Sequence, residues 1–291
     1  MKLHLVDGTY ELFRAHFGAP PSVDSAGRSV GATRGLLRTL LGLLRDEAAT
    51  HVAIAFDEKI ESFRNHLFAG YKTGEGIEPE LLSQFPLAER AAHALGFVVW
   101  PMVEFEADDA LATAAARWTQ DPSVEQIVLC SPDKDLAQCV AGDRIVMLDR
   151  RKRAVMNEEG VATKFGVPPR SIPDWLALVG DAADGIPGVA RWGPKSAAAL
   201  LAKFGTIDRI PIDPAAWEVT VRGRESLAES LNAHRGEADL YRTLATLRRD
   251  VPLRENLGEL EWRGARRPEL IELCGELDEK ELLSRVPRWR D

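Results

Sequence analysis

Residues 97–118 read FVVWPMVEFEADDALATAAARW, and the change of character inside this stretch decides the fold. The opening run, Phe97–Trp100, is short, apolar and Val-rich, as a buried parallel strand is. The closing run, Ala107–Trp118, is rich in Ala and Leu and long enough for about three helical turns. At the joint stand Glu106, Asp108 and Asp109, acids in a helix's first turn, where they complement its dipole. The alternation recurs along the first half. Apolar runs at Leu3–Val6, Val52–Phe56, Ile127–Cys130 and Ile145–Leu148 are separated by helical patterns such as Thr33–Arg45 and Pro86–Leu95. A βαβ series of this kind predicts an α/β fold, a doubly wound and mostly parallel twisted sheet with helices on both faces.

Ligands of such sheets bind beyond the carboxyl ends of the strands. Asp7, Asp57 and Asp133 directly follow the first, second and fourth runs, and Glu106 and Asp108 begin the helix after the third. With Asp109, Asp135, Asp181 and Asp184 they make nine carboxylates in five clusters. One Asp after a strand is ordinarily a turn or cap residue; recurrence at one topological position is the informative feature. Acids crowded in a cleft raise each other's pKa, so the fold must supply positive charge. Oxygen donors without Cys or His favour a hard divalent cation, Mg²⁺ or Mn²⁺. Nine carboxylates suit two ions, and paired ions serve phosphoryl or phosphodiester chemistry.

Composition bounds the alternatives. With 291 residues and 45% hydrophobic content the chain can build one large or two ordinary cores. The amino terminus, MKLHLVDGTY, meets an acid after four apolar-patterned residues, so it is neither a signal peptide nor a membrane span. Cys130, Cys139 and Cys274 lack metal-ligand spacing, and an odd count without a secretion signal predicts reduced thiols in the cytoplasm. The net charge of −8 is unevenly divided: residues 1–149 hold 13 basic against 22 acidic side chains, residues 150–291 hold 24 against 23. Basic clusters in the second half, Arg150 to Arg153, Arg222 and Arg224, Arg248 and Arg249, and Arg263, Arg266 and Arg267, are solvated faces or a phosphate-tracking stripe.

Glu58–Gln84 is an excursion without strand character, with Arg64, His66 and Lys72 at helical spacing and Gly74 and Gly76 at a flexible tip; its position suits a lid. The second half reads as helical. Trp175–Val179 leads into GDAADGIPGVARWGPKSAAALLAKFG, residues 180–205, a helix, tight Gly/Pro turn and helix, with Pro194 at a first helical position and Gly205 at the stop. Such a turn exposes backbone N–H groups to a duplex phosphate. Glu269–Val286 has the pattern of one amphipathic packing helix.

Six motifs, LVDGTYELFRA, AFDEKIESFR, FEADDALA, SPDKDLAQCV, LVGDAADGIPGV and WGPKSAAALL, stand in an order and spacing that resemble the 5′-nuclease (flap endonuclease) family, specifically the 5′–3′ exonuclease domain of bacterial DNA polymerase I, over roughly residues 3–260. The resemblance implies a PIN-like nuclease domain at 1–157, with a helical arch inserted at about 58–84. It implies a helix-three-turn-helix (helix-hairpin-helix) DNA-binding region at 158–291, with its hairpin at 180–204. Asp7, Asp57, Glu106 and Asp108 resemble the ligands of a first Mg²⁺ (or Mn²⁺), with Asp108 placed to reach both ions. Asp133, Asp135 and Asp181 resemble those of a second, and Asp109 and Asp184 resemble outer-shell or water-mediated ligands. Arg64 and Lys72 match the catalytic pair that steadies the scissile phosphate. Arg14, Gly188, Arg191, Gly193, Lys195 and Ser196 match DNA contacts. Some positions depart: Glu75 stands near the place of an arch Arg, Pro132 replaces a Gly, and Gly185 replaces an Asn. The hairpin's usual Gly-Val-Gly is Arg191-Trp192-Gly193, which leaves open the K⁺ ion that the family can hold there.

The resemblance implies a Mg²⁺-dependent 5′–3′ exonuclease or 5′-flap endonuclease of DNA replication or repair. Its partners would be DNA flaps, nicks and free 5′ ends, without a membrane. Because the chain stops at residue 291, a stand-alone monomer without a polymerase domain is expected, in a bacterial cytoplasm. The alternatives are a catalytically silent DNA-structure-binding protein and a PIN-type ribonuclease. The intact acids count against the first, and the hairpin region against the second.

Overall fold

The computed structural model describes residues 1–18, 20–47 and 49–290. In chain order its main elements are β1 (Lys2–Asp7), α1 (Gly8–Gly18), α2 (Gly31–Asp46), β2 (His51–Asp57), α3 (Phe63–Leu67), α4 (Pro79–Leu82), α5 (Phe85–Ala94), β3 (Val98–Met102), α6 (Ala107–Trp118), β4 (Gln126–Cys130), β5 (Ile145–Asp149), β6 (Ala154–Met156), α7 (Glu158–Phe165), α8 (Ile172–Val179), α9 (Pro194–Phe204), α10 (Arg224–Ala233), α11 (Arg235–Ala245) and α12 (Arg267–Glu276). They fall into two compact units. The first holds Met1–Ile60, Gly74–Ser131 and Arg249–Asp291; the second holds Glu61–Thr73 and Pro132–Arg248.

The first unit is built on four parallel strands in the order β3-β2-β1-β4. β1 buries every residue from Leu3 to Asp7, and Val52 to Phe56 of β2 are buried likewise. Strands covered on both faces must be apolar throughout, and each fully buried Leu or Ile stabilises by about 1.5–3 kcal/mol. Alanines 107, 110, 112, 114 and 115 of α6 are buried, and this helix packs on β1, β2 and β3. Small side chains there let the helix axis approach the sheet closely. On α2, Leu36, Leu37, Leu40, Leu41, Leu43 and Leu44 form the apolar stripe that packs against α1 and α5. The register pairs Asp7 with Ala55 and Asp57 with Met102, so both acids stand at carboxyl ends of neighbouring strands.

At the chain's end the single helix expected over 269–286 does not form. α12 stops at Glu276, Asp278 takes a left-handed φ of 50°, and Lys280–Arg285 continues as a separate 3₁₀ turn. The excursion is also less helical than its spacing suggested. α3 has five residues, so Lys72 lies beyond it, and residues 61–73 belong to the second unit while residues 74–84 belong to the first.

The second unit carries the antiparallel pair β5–β6, whose turn is the Arg150–Arg153 cluster, and then five helices. α8 buries seven of its eight residues and packs against α9 and α11. Its one buried acid, Asp174, accepts the Ile207 N–H at 2.8 Å. The turn after α8 is set by backbone proximity. Gly188 has φ +75°, and a Cβ there would lie 2.6 Å from the Gly180 nitrogen and 2.7 Å from the Val179 carbonyl carbon. The next residue closes the turn, with Val189 N–H donating to Leu178 O at 2.9 Å. Gly188→Ala is therefore expected to destabilise by about 2 kcal/mol or more, since both the φ and the contact oppose a side chain. Chemical denaturation measures this; an unchanged midpoint would show that the turn is not so constrained.

Candidate metal centre

In the first unit, short polar contacts hold the strand-end acids. Asp7 is 6% exposed; its Oδ1 accepts the Tyr10 N–H at 2.8 Å and its Oδ2 accepts the Ser131 hydroxyl at 2.8 Å. Asp57 Oδ1 accepts the Ala107 N–H at 2.7 Å, and the Asp57 N–H donates to Thr9 Oγ1 at 2.8 Å. β1, β2 and the start of α6 are thus tied at one place. Glu106 is the N-cap of α6, and its N–H donates to Asp109 Oδ2 at 3.0 Å. Asp109 is fully buried and spends one oxygen on this capping bond. Asp108, half-buried between them, occupies the second helical position.

The second unit gathers the other four acids. Asp135, Asp181 and Asp184 each offer a carboxylate oxygen within 4.8 Å of the others, an arrangement able to hold a metal ion. Asp133 accepts the Asp135 N–H at 2.9 Å across one residue, and Asp181 accepts the Ala183 N–H at 3.0 Å in the same way. Tight Asx turns aim both carboxylates. Asp181 and Ile186 also exchange backbone bonds of 2.8 Å, which closes the loop that bears Asp184.

Burial, then the neighbours Asp133, Asp184 and Asp181, push Asp135 well above the usual carboxylate range. Burial and Asp184 raise Asp133 in the same direction. Buried Asp135 Oδ1 has no hydrogen-bond partner among the described residues. Two ammonium groups meet the cluster: Lys134 Nζ lies 2.5 Å from Asp181 Oδ2, and Lys72 Nζ lies 3.0 Å from Asp184 Oδ1. Burial opposes the Lys134 charge, but Asp181, Asp135 and Asp133 outweigh it and raise its pKa. With all four carboxylates ionised, the two ammoniums would leave an excess of two negative charges, which one divalent cation would offset. The residues present therefore fit such an ion.

Lys72 reaches Asp184 because two backbones meet. Its N–H donates to Asp184 O at 2.9 Å, and a Cβ on Gly185, φ +72°, would stand 2.2 Å from Gly70 O. Asn tolerates that φ but not that contact, which accounts for glycine here. Arg64 has a different environment. It is 1% exposed, and its guanidinium donates to Leu244 O at 2.7 Å and Thr246 O at 3.2 Å while lying 4.6 Å from the Phe63 ring centroid. Arg14, on α1, bonds buried Glu11 at 2.9 Å and Thr39 Oγ1 at 3.0 Å.

In the hairpin, Arg191 is exposed at φ +72°, so the position does require a left-handed backbone, and Arg takes it at a cost of about 1–2 kcal/mol. Trp192 packs beneath the turn, 7% exposed, with Nε1–H donating to Leu227 O at 3.1 Å. Gly193 and Ser196 exchange bonds of 3.1 and 3.0 Å that close the first turn of α9, and Lys195 is exposed beside them. Reading the acids alone had passed over Lys134, Ser131 and Gln138. Lys134 was legible, since it alternates with the acids in SPDKD.

A mostly parallel sheet with acids at its carboxyl edge, and a helical unit with a glycine hairpin and an acid cluster able to hold a cation, define the class: an α/β unit joined to a helical unit, with a candidate metal centre. The N-terminal resolvase-like domain of the 5′-3′ exonucleases matches residues 2–166, and their C-terminal SAM fold matches residues 167–268. The chain belongs to the 5′-3′ exonuclease family. It is 31% identical over 283 residues to a 5′-3′ exonuclease of Aquifex aeolicus, covering 97% of this chain and 93% of that protein. It is 33% identical over 293 residues to DNA polymerase I of Bacillus caldotenax, covering 98% of this chain and 32% of the polymerase, so it spans about a third of that relative. In fold it is similar to the bacteriophage T5 flap endonuclease in a pseudo-enzyme-product complex with DNA and metal ions, at TM-score 0.65 and 19% identity, with 98% and 99% of the two chains covered. Among the described residues no helix is long and apolar enough to cross a membrane.

The raised Asp135 pKa has a consequence for stability. A carboxyl that binds its proton more tightly when folded stabilises the fold at pH values below its ordinary 3.8, and this is lost as pH rises through the raised value. In EDTA, Asp135→Asn should therefore gain on the wild type as pH rises above the ordinary carboxyl value of 3.8, at about 2–4 °C in Tm per kcal/mol. Excess Mg²⁺ should favour the wild type instead. A constant difference between the two proteins above that value would refute the account.

Proposed function

We propose that the chain is a Mg²⁺-dependent, structure-specific 5′ nuclease that hydrolyses DNA phosphodiesters near 5′ ends, at flaps, nicks or free ends, in DNA replication or repair. The observation that carries this reading is the second-unit cluster: buried acids with raised pKa, short of two positive charges, beside two lysines. Asp7, Asp57, Glu106 and Asp108 would hold one Mg²⁺, and Asp133, Asp135 and Asp181 a second. Asp109 and Asp184 would act through water, although Asp184 has an oxygen near enough for direct ligation. Bound Mg²⁺ would lower the pKa of a water nucleophile and neutralise charge on the leaving oxygen.

The chain's own groups do the rest. Lys72, exchanging Asp184 for phosphate, would donate to the scissile group as charge develops. Arg64 would support this from behind, by fixing the segment that carries Lys72. Residues 188–196 would hold duplex phosphate through backbone N–H groups, Lys195 and Arg191, without reading bases. On this reading the nuclease part would be residues 1–157 and the DNA-holding part residues 158–291.

The primary test is a cleavage panel of single-stranded, nicked, flapped and duplex DNA with Mg²⁺, with RNA as competitor. Structure-dependent cuts near 5′ ends are expected, and Asp108→Ala should abolish them while keeping DNA binding, which rests on phosphate contacts elsewhere. Binding without cleavage by the wild type would instead identify a silent structure-binding protein, and preference for RNA a ribonuclease.

The two basic residues of the excursion should separate. Lys72→Ala is expected to lower the single-turnover rate by about 10²–10³-fold with little change in Kd or in the Tm measured in Mg²⁺. Arg64→Ala should lower Tm, since each orphaned buried carbonyl costs about 1–3 kcal/mol. Equal losses of rate at unchanged Tm would return Arg64 to direct phosphate contact. In Arg191→Ala the salt slope of DNA binding should fall by about 1; an unchanged slope and Kd would place the duplex on other basic clusters.

A further inference from the structure

The end of α11 presents carbonyls that no later turn of helix can satisfy. Two side chains from distant parts of the second unit take them. Arg64 donates to Leu244 O and Thr246 O at 2.7 and 3.2 Å. Gln138, 7% exposed, donates from Nε2 to Ala245 O at 2.9 Å and to Asp135 O at 2.8 Å, while its Oε1 accepts the Leu247 N–H at 3.0 Å. Both donor hydrogens and the acceptor of the amide are engaged, so the orientation of Gln138 is fixed. One bond goes to the main chain of Asp135, whose carboxylate belongs to the acid cluster. On the other side of the same four residues, Arg64 anchors the segment that ends in Lys72, which meets Asp184.

We infer that Gln138 is a positioning residue for the acid cluster: with Arg64 it clamps Leu244–Leu247 as a strut that holds Asp135 in register with Lys72 and Asp184. The inference deepens the metal-site reading proposed above and rests on it. Gln138 lies within the 3₁₀ turn Asp135–Cys139, and its bond to the Asp135 carbonyl fixes where the first residue of that turn sits. Loss of that bond frees the Asp135 main chain without removing any carboxylate. Affinity for a cation then falls because the carboxylates must be ordered when the ion binds.

The test is a calorimetric titration of Mn²⁺ into the DNA-free full chain, as wild type, Asp135→Asn and Gln138→Met, alongside Tm and the Mg²⁺ dependence of cleavage. Gln138→Met keeps side-chain length and loses all three bonds. It should weaken Mn²⁺ binding by about 10–100-fold, as lost partners of metal ligands do. The Mg²⁺ requirement should rise in step, and cleavage should recover at saturating Mg²⁺. A residue that only supports the fold would lower Tm and leave the Mn²⁺ affinity of the folded protein unchanged, and that result overturns the inference. If the wild type itself takes up no Mn²⁺, the metal reading fails first and the inference with it. Hydrogen exchange of the wild type supplies a second measurement that needs no variant. Coupling is reciprocal, so saturating Mg²⁺ should slow exchange of the Leu247 amide, and equal exchange with and without Mg²⁺ overturns the strut.

Discussion

Mutual repulsion among Asp133, Asp135, Asp181 and Asp184 is the constraint around which the second unit is built. Four carboxylates taken out of water in one place oppose folding, and the chain meets this in two ways. Protonation is favoured, as the raised pKa values of Asp133 and Asp135 show. Lys72 and Lys134 also bring ammonium groups into contact with Asp184 and Asp181. Neither remedy is complete, and the remaining deficit is one that a divalent cation would offset. Structural details that look unrelated serve this end: the missing side chain at Gly185, the two Asx turns and the backbone bridge at Asp181 each remove freedom the repulsion would otherwise exploit.

The first unit solves a simpler problem. Its acids stand at strand ends because the buried stretches Leu3–Val6 and Val52–Phe56 hold no carboxylate, and at Asp7 and Asp57 a carboxylate meets backbone donors. Those donors are N–H groups at helix starts: Tyr10 in α1, the element that follows β1, and Ala107 at the start of α6, which follows β3. The helix amino termini thus stabilise charge before any ion does. Glu106 and Asp109 use their capping bond to fix where α6 begins, which sets the position of Asp108 between them.

What the sequence made legible follows from this physics. Buried parallel strands must be continuous apolar runs, and all five assigned runs became strands. The hairpin was legible because Gly180, Gly188 and Pro194 answer local backbone demands that act within a few residues. β6 was not, since Ala154 and Val155 are exposed and the strand is specified by its partner β5 rather than by its own pattern. The continuous helix over 269–286 failed at Asp278, whose left-handed backbone no periodicity announces. Arg64 shows the limit most clearly. Its bonds to the Leu244 and Thr246 carbonyls span 180 and 182 residues, and nothing local in the sequence distinguishes an arginine with such remote partners from one without them.

The same distinction bears on how an acidic chain can hold a polyanion. A net charge of −8 disfavours nucleic acid only if the charges act as a uniform field, and at physiological salt they do not, because screening confines each group to about 8 Å. Within that range Asp7 and Asp57 are engaged by backbone N–H groups, and Asp181 and Asp184 by lysines. The hairpin, by contrast, offers backbone N–H groups and the exposed Arg191 and Lys195. Arg191 keeps the left-handed turn a glycine would otherwise make, and adds charge where a glycine would add none. Replacing glycine there therefore exchanges backbone ease for a side-chain cation, without altering the turn on which the N–H groups depend.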